Sequence, residues 1–145
     1  MGVVRQGTVA LFALAGAFGI AVWGSQAIAQ SQAAPFTDAQ ASAGHLAFSQ
    51  NCAVCHLDTL GGAGEAPPLA GSVFAGSWGN RTAADLFHVI KAAMPMGAPG
   101  SLSDTEYTDI VAFILRANGA KTGSTPLTPD TAVALNKIIT GQVSG

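Results

Sequence analysis

The chain has 145 residues, a net charge of −2 and only 10% charged side chains. Such a weakly charged chain offers no basic surface for nucleic acid and no block of like charges of the kind that keeps a segment unfolded. Its mean hydropathy of +0.40 owes much to the first residues, so it does not mark a membrane protein.

At the amino terminus one basic residue, Arg5, precedes the apolar run Val9–Val22, and Ser25-Gln26-Ala27-Ile28-Ala29 has small-x-small cleavage spacing. Residues 1–29 therefore read as a secretory signal cut after Ala29. The run is shorter than the roughly 18 to 20 apolar residues of a spanning helix. A lone arginine gives no twin-arginine motif. Membrane contact is expected only in transit, and the processed chain is expected in the periplasm. Cleavage would leave 116 residues at a net charge of −3, enough for one domain with a modest core. The expected organisation is a signal at 1–29, a polar linker at 30–36 and one domain at 37–145. That domain divides into a core at 38–119 and an extension at 120–145.

Thr37-Asp38-Ala39-Gln40 has the form of a capping box and opens a helix expected to run to about Asn51. Gly44 and Phe48 share one face of it, a turn apart, with Cys52 a turn further on. A mid-helix glycine costs roughly 1 kcal/mol relative to alanine, and close approach of a second helix is the reason to keep one there.

Cys52-Ala53-Val54-Cys55-His56 follows, and C-x-x-C-H is the attachment signature of a c-type haem. Two intervening residues let one turn of chain present both sulfurs to one porphyrin edge, while the adjacent histidine supplies an axial nitrogen. The motif uses both cysteines of the chain. A disulfide, a thioredoxin-like pair and half a zinc site are the competing readings. No convincing strand precedes Cys52, as a thioredoxin-like pair would want, and the only other histidines are His45 and His88.

Residues 57–81 show little periodicity. Gly61-Gly62-Ala63-Gly64 lacks the Gly-Lys-Ser/Thr of a phosphate loop and reads as flexible backbone around a cofactor edge. Pro67-Pro68-Leu69-Ala70-Gly71 is stiff and non-helical. Thr82–Asp85 starts a helix with Leu86, Val89, Ile90 and Ala93 at helical spacing, ended by Met94-Pro95. Ser103–Glu106 is the clearest capping box, opening a helix with Tyr107, Ile110, Val111 and Ile114 on one stripe and Phe113 at its margin. Arg116 and Asn118-Gly119 stop it. After a linker at 121–127, Thr128-Pro129 is expected to open a last helix that packs Ala134, Leu135 and Ile138 and ends at Gly141.

A second axial ligand decides between a carrier and an enzyme. With Met1 gone, the thioethers are Met94 and Met96, both in the helix-terminating Met-Pro-Met-Gly-Ala-Pro-Gly loop. Met94 is the favoured ligand of the two. His88 falls off the apolar stripe and His45 points about 100° away from Gly44, so both are expected in solvent.

The chain resembles a class I monohaem cytochrome c over residues 38–119. Gly44-x3-Phe48-x3-Cys52 is similar to the amino-terminal helix of that family, and Asp109-Ile110-Val111-Ala112-Phe113 to its carboxy-terminal helix. The resemblance implies an all-α cytochrome c fold of about four helices around one covalent haem, with these two helices crossing. Ile110 and Phe113 would be the partners of Gly44 and Phe48, and the C-terminal helix would be extra. Pro67-x-Leu69-x-Gly71 resembles the stretch after the haem motif. By that likeness the Pro67 carbonyl accepts the Nδ1–H of His56, and Leu69 lies on the porphyrin. Trp78-x-x-Arg81-Thr82 and the stretch from Met94 to Tyr107 resemble small periplasmic cytochromes and cytochrome domains that serve quinoprotein dehydrogenases. This implies Met94 as iron ligand, and Trp78 and Arg81 as donors to a haem propionate.

The implied function is single-electron transfer with His56 and Met94 on the iron, between a periplasmic dehydrogenase as donor and an oxidase or another cytochrome as acceptor. A catalytic constellation is neither required nor found, so an enzyme is not expected. The competing readings are a haem enzyme or gas sensor with a labile sixth ligand, and an obligate cytochrome subunit of a dehydrogenase.

Overall fold

The computed structural model describes Gly2 and residues 35–143; the expected signal and its cleavage point lie outside the described residues. Among those residues are five α-helices: α1 (Asp38–Asn51), α2 (Ala53–His56), α3 (Gly71–Trp78), α4 (Ala83–Ala93) and α5 (Asp104–Ala117). The described residues include no strand, only an isolated bridge between Thr82 and Ala134. No described helix is long and apolar enough to cross a membrane. The fold is all-α, as expected.

Three helices begin where the sequence says they should, because their starts are chemically local. Thr37 with Gln40, Thr82 with Asp85, and Ser103 with Glu106 each form a reciprocal capping box. Each box satisfies two backbone donors that a helix start would otherwise leave unpaired. The bond from the Ser103 backbone N–H, then that from its hydroxyl, holds the Glu106 carboxyl below its ordinary value. Phe36, assigned to the polar linker, is instead fully buried. It precedes the cap residue, and Ala41 four positions into the helix is buried with it, which is the arrangement of a hydrophobic staple.

The core is organised by α1 crossing α5. Gly44 sits against the peptide joining Asp109 to Ile110, so closely that a Cβ would overlap the Asp109 carbonyl. One turn on, the rings of Phe48 and Phe113 lie 5.3 Å apart at 53°. Glycine is required because the two backbones meet with no room for a side chain. α5 is buried on more than the expected stripe: Thr108, Ala112, Leu115 and Ala117 are covered too. A helix covered nearly all round is an interior element rather than a surface one. Phe48→Ala should lower stability by about 3–5 kcal/mol as a core aromatic truncation, read from denaturant melts. An unchanged midpoint would refute the crossing.

Two features depart from the sequence reading. Residues 71–78, read as irregular, form α3, which buries Phe74 and half-buries Trp78. The helix expected from Thr128 is absent; only a 3₁₀ turn at Leu135–Lys137 forms there. Its backbone is committed elsewhere. The Thr131 and Val133 carbonyls accept from Ala84 and Ala83, the first amides of α4, while Leu135 and Asn136 donate to Arg81 and Gly79. The extension is therefore a strap across the start of α4. It satisfies donors that a helix start leaves orphaned, which no helical segment could do with its own carbonyls in use.

Candidate cofactor site

α1 breaks at Cys52, whose backbone (φ −125°, ψ −33°) leaves the helical region, and α2 sets off on a new axis. This single turn leaves Cys52 half-buried, exposes Cys55 and buries His56. The chain then reverses through Leu57 (φ 62°, ψ 153°), a region almost reserved for glycine. Such a residue costs about 1–3 kcal/mol and persists only when its surroundings fix it. Here Leu57 N–H donates to Ala53, Leu60 N–H to Leu57, and Gly62 N–H to His56. Gly62 itself has φ +72° and packs so tightly on Ala66 and Pro67 that a side chain would collide with their backbone. The Gly61–Gly64 stretch is thus a constrained turn rather than a slack one.

The reversal returns Pro67 to His56, whose Nδ1 lies 3.0 Å from the Pro67 carbonyl oxygen. A carbonyl can only accept, so Nδ1 carries a proton, and in the neutral imidazole Nε2 is then left with its lone pair. That is the tautomer a metal-ligating imidazole needs.

His56 forms part of the wall of a cavity of about 380 Å³. Cys52 and Cys55 line one part of it. Phe48, Leu69, Leu86, Ile90, Ile110 and Ile114 make much of its apolar wall, and Trp78, Met94 and Met96 also line it. Among the described residues no buried side-chain polar atom lacks a hydrogen-bond partner. The site is a largely apolar slot with two sulfurs, one imidazole and thioethers at its boundary, and with Asn51 and Glu65 as its other polar side chains. A flat macrocycle attached at one edge fits that donor set.

The two methionines differ. Met94 is the C-cap of α4 and half-buried, and its carbonyl accepts the Tyr107 hydroxyl at 2.7 Å. Met96 is 78% exposed at the rim. Tyr107 was legible in sequence only as an apolar stripe residue, yet its hydroxyl fixes the Met94 backbone to α5. Arg81 is not in the cavity wall; its guanidinium lies 5.0 Å from the centre of the Trp78 ring. The i, i+3 spacing that brought the two together makes a cation–π stack. His88 is exposed and outside the wall, and His45 is exposed with its ring stacked on Phe113 at 4.9 Å.

Burial pushes the Cys52 thiol up to about 11. A thioredoxin-like pair needs a thiol shifted the other way. Among the described residues no three His, Cys, Asp or Glu side chains converge to hold a metal ion, which removes the zinc reading there.

Residues 39–114 match the family described as cytochrome c oxidase, cbb3-type, subunit III. The chain belongs to that family. It is a c-type cytochrome, and haem c with its iron and electron transfer come with the family. Among solved structures, the sulfane dehydrogenase SoxCD from Paracoccus pantotrophus is similar over 92% of this chain and 69% of that one. The identity is 21% and the TM-score 0.49, a distant likeness. Comparison with curated protein sequences gives no match.

Proposed function

We propose that this cytochrome is an exported, periplasmic single-electron carrier with one haem, joined by thioethers to Cys52 and Cys55. His56 and Met94 would hold its iron. The observation that carries this reading is the locked His56 tautomer, which leaves Nε2 free as a ligand in an apolar cavity that Met94 also lines. When bound, the haem supplies a one-electron couple, and a thioether ligand with a buried setting favours its reduced form.

The chain's own residues do the rest. The Pro67 carbonyl orients the imidazole and raises its basicity. Tyr107 holds the Met94 backbone, so the thioether has a fixed origin. Phe48, Leu69 and Ile110 keep water from the cofactor faces. His88, the histidine weighed as a distal acid–base group, lies outside the wall, and the one carboxylate in the wall, Glu65, is exposed. Val54 at 88% exposure and Met96 at 78% line the cavity and also face outward. That apolar rim suits brief docking of redox partners, with a dehydrogenase as donor and an oxidase or second cytochrome as acceptor.

Mass spectrometry of protein exported from a host that matures c-type cytochromes should show one added haem. The oxidised protein should carry a sulfur-to-iron charge-transfer band at the red end of the visible spectrum. It should vanish in Met94→Ala and survive in Met96→Ala. Ready carbon monoxide binding by the unmutated ferrous protein at neutral pH would overturn the closed-site reading in favour of a sensor or enzyme.

A further inference from the structure

Asn118 is the C-cap of α5 and is fully buried. Its sequence position marks it as a helix stop, but its side chain bonds far beyond its own helix. Nδ2 donates to the Leu69 carbonyl at 2.9 Å and to the Ile114 carbonyl at 2.8 Å. Oδ1 accepts the Gly71 N–H at 3.0 Å. Its backbone carbonyl accepts the Thr140 N–H at 2.9 Å. One amide thus grips both sides of the Leu69–Gly71 segment with the two polarities that segment presents.

That segment directly follows Pro67, the residue that holds His56. It is tied at only a few points: Leu69 N–H to the Leu60 carbonyl at 2.8 Å, and the packing of Gly62 on Ala66 and Pro67. Helix α3 starts at Gly71 with no side-chain cap. Its first amide is instead taken by Asn118. Without Asn118, a Leu69 carbonyl and a Gly71 N–H would lose their partner beside the core, and unpaired groups move toward water.

We propose that Asn118 is a positioning residue for the His56 side of the site. Its buried amide fixes the Pro67–Gly71 segment to α5 and thereby holds the Pro67 carbonyl on the imidazole. This rests on the reading of His56 as a haem ligand, and each protein used in the test is first weighed for covalent haem. Absence of haem from the unmutated protein sinks that reading; haem present with unchanged His56 behaviour in the variant sinks only this one.

The readout is the His56 Nδ1–H proton in the reduced, diamagnetic holoprotein, followed by nitrogen-edited NMR in deuterated solvent. In Asn118→Leu, which removes all three side-chain bonds at similar volume, this proton should exchange on the order of 100-fold faster. Thr140→Val removes only the strap hydroxyl near Asn118 and should lower the melting temperature while leaving the proton unchanged. A purely structural role would move both variants alike. The unmutated holoprotein supplies a second measurement that needs no variant to fold. The Gly71 amide should exchange within about tenfold of the slow α5 amides, since the two open together. An unchanged His56 proton in Asn118→Leu, or a Gly71 amide that exchanges with the surface loops, overturns the proposal.

Discussion

Gly44→Ala is expected to destabilise the protein by about 3 kcal/mol or more, the upper end of overpacking effects. Two terms compete. Alanine is the better helix former by roughly 1 kcal/mol, so a mid-helix glycine facing open space would be improved by the change. At Gly44 the added carbon would overlap the Asp109 carbonyl and sit 2.9 Å from the Ile110 nitrogen. Both obstacles are backbone, with no rotamer to relieve them, so α1 and α5 must separate. Separation also loosens the Phe48–Phe113 contact. Gly76 in α3 is the internal control: a Cβ there meets nothing within 4 Å. Gly76→Ala should therefore be neutral or stabilising by up to about 1 kcal/mol. Equal effects of the two substitutions in chemical denaturation would show that the crossing does not govern stability.

The second large effect is expected from Cys52→Ala combined with Cys55→Ala, which should abolish cooperative folding. An empty cavity costs about 24 cal/mol per Å³, so 380 Å³ left unfilled corresponds to roughly 9 kcal/mol as an upper bound. Total stability for a domain is only about 5–15 kcal/mol. Water entering the slot lowers the figure, but its walls are apolar and offer water few partners. The double variant should therefore give weak helical circular dichroism and a broad melt, whereas a sharp two-state transition without haem would contradict this account. The cofactor is then as much a part of the core as Phe48 or Ile110.

Most of the helical frame was legible because its signals are local. The capping boxes at Thr37, Thr82 and Ser103 lie within four residues, and the spacing of Gly44 and Phe48 is read along one face. α3 escaped because it is short, contains Gly71 and Gly76 and has no side-chain cap. Its only signal was Phe74 and Trp78 one turn apart. The strap was misread for the opposite reason. Thr128-Pro129 is an acceptable helix start locally, but the carbonyls of Thr131 and Val133 serve α4, a tertiary arrangement that no local pattern encodes. At the site, the sequence pointed to Cys52, Cys55, His56 and Met94, and all four line one cavity. The roles of Asn118 and Tyr107 were not legible, since their bonds join segments far apart in the chain. Arg81 lies against Trp78, as their i, i+3 spacing allows, and stacks on its ring.

The meeting of Gly44 with Asp109 also constrains the order of assembly. Helix α1 brings Phe48 to the wall of the slot, the chain from Cys52 to Met96 brings most of the rest, and only α5, with Ile110 and Ile114, completes the enclosure. Contacts between such distant segments form late, because the entropy of closing the intervening loop comes first. As the chain folds, the thiols of Cys52 and Cys55 thus pass through a period in the open, before α5 roofs the slot. If haem is joined to those thiols as proposed, that interval is the window for its attachment, and sealing of the interior follows.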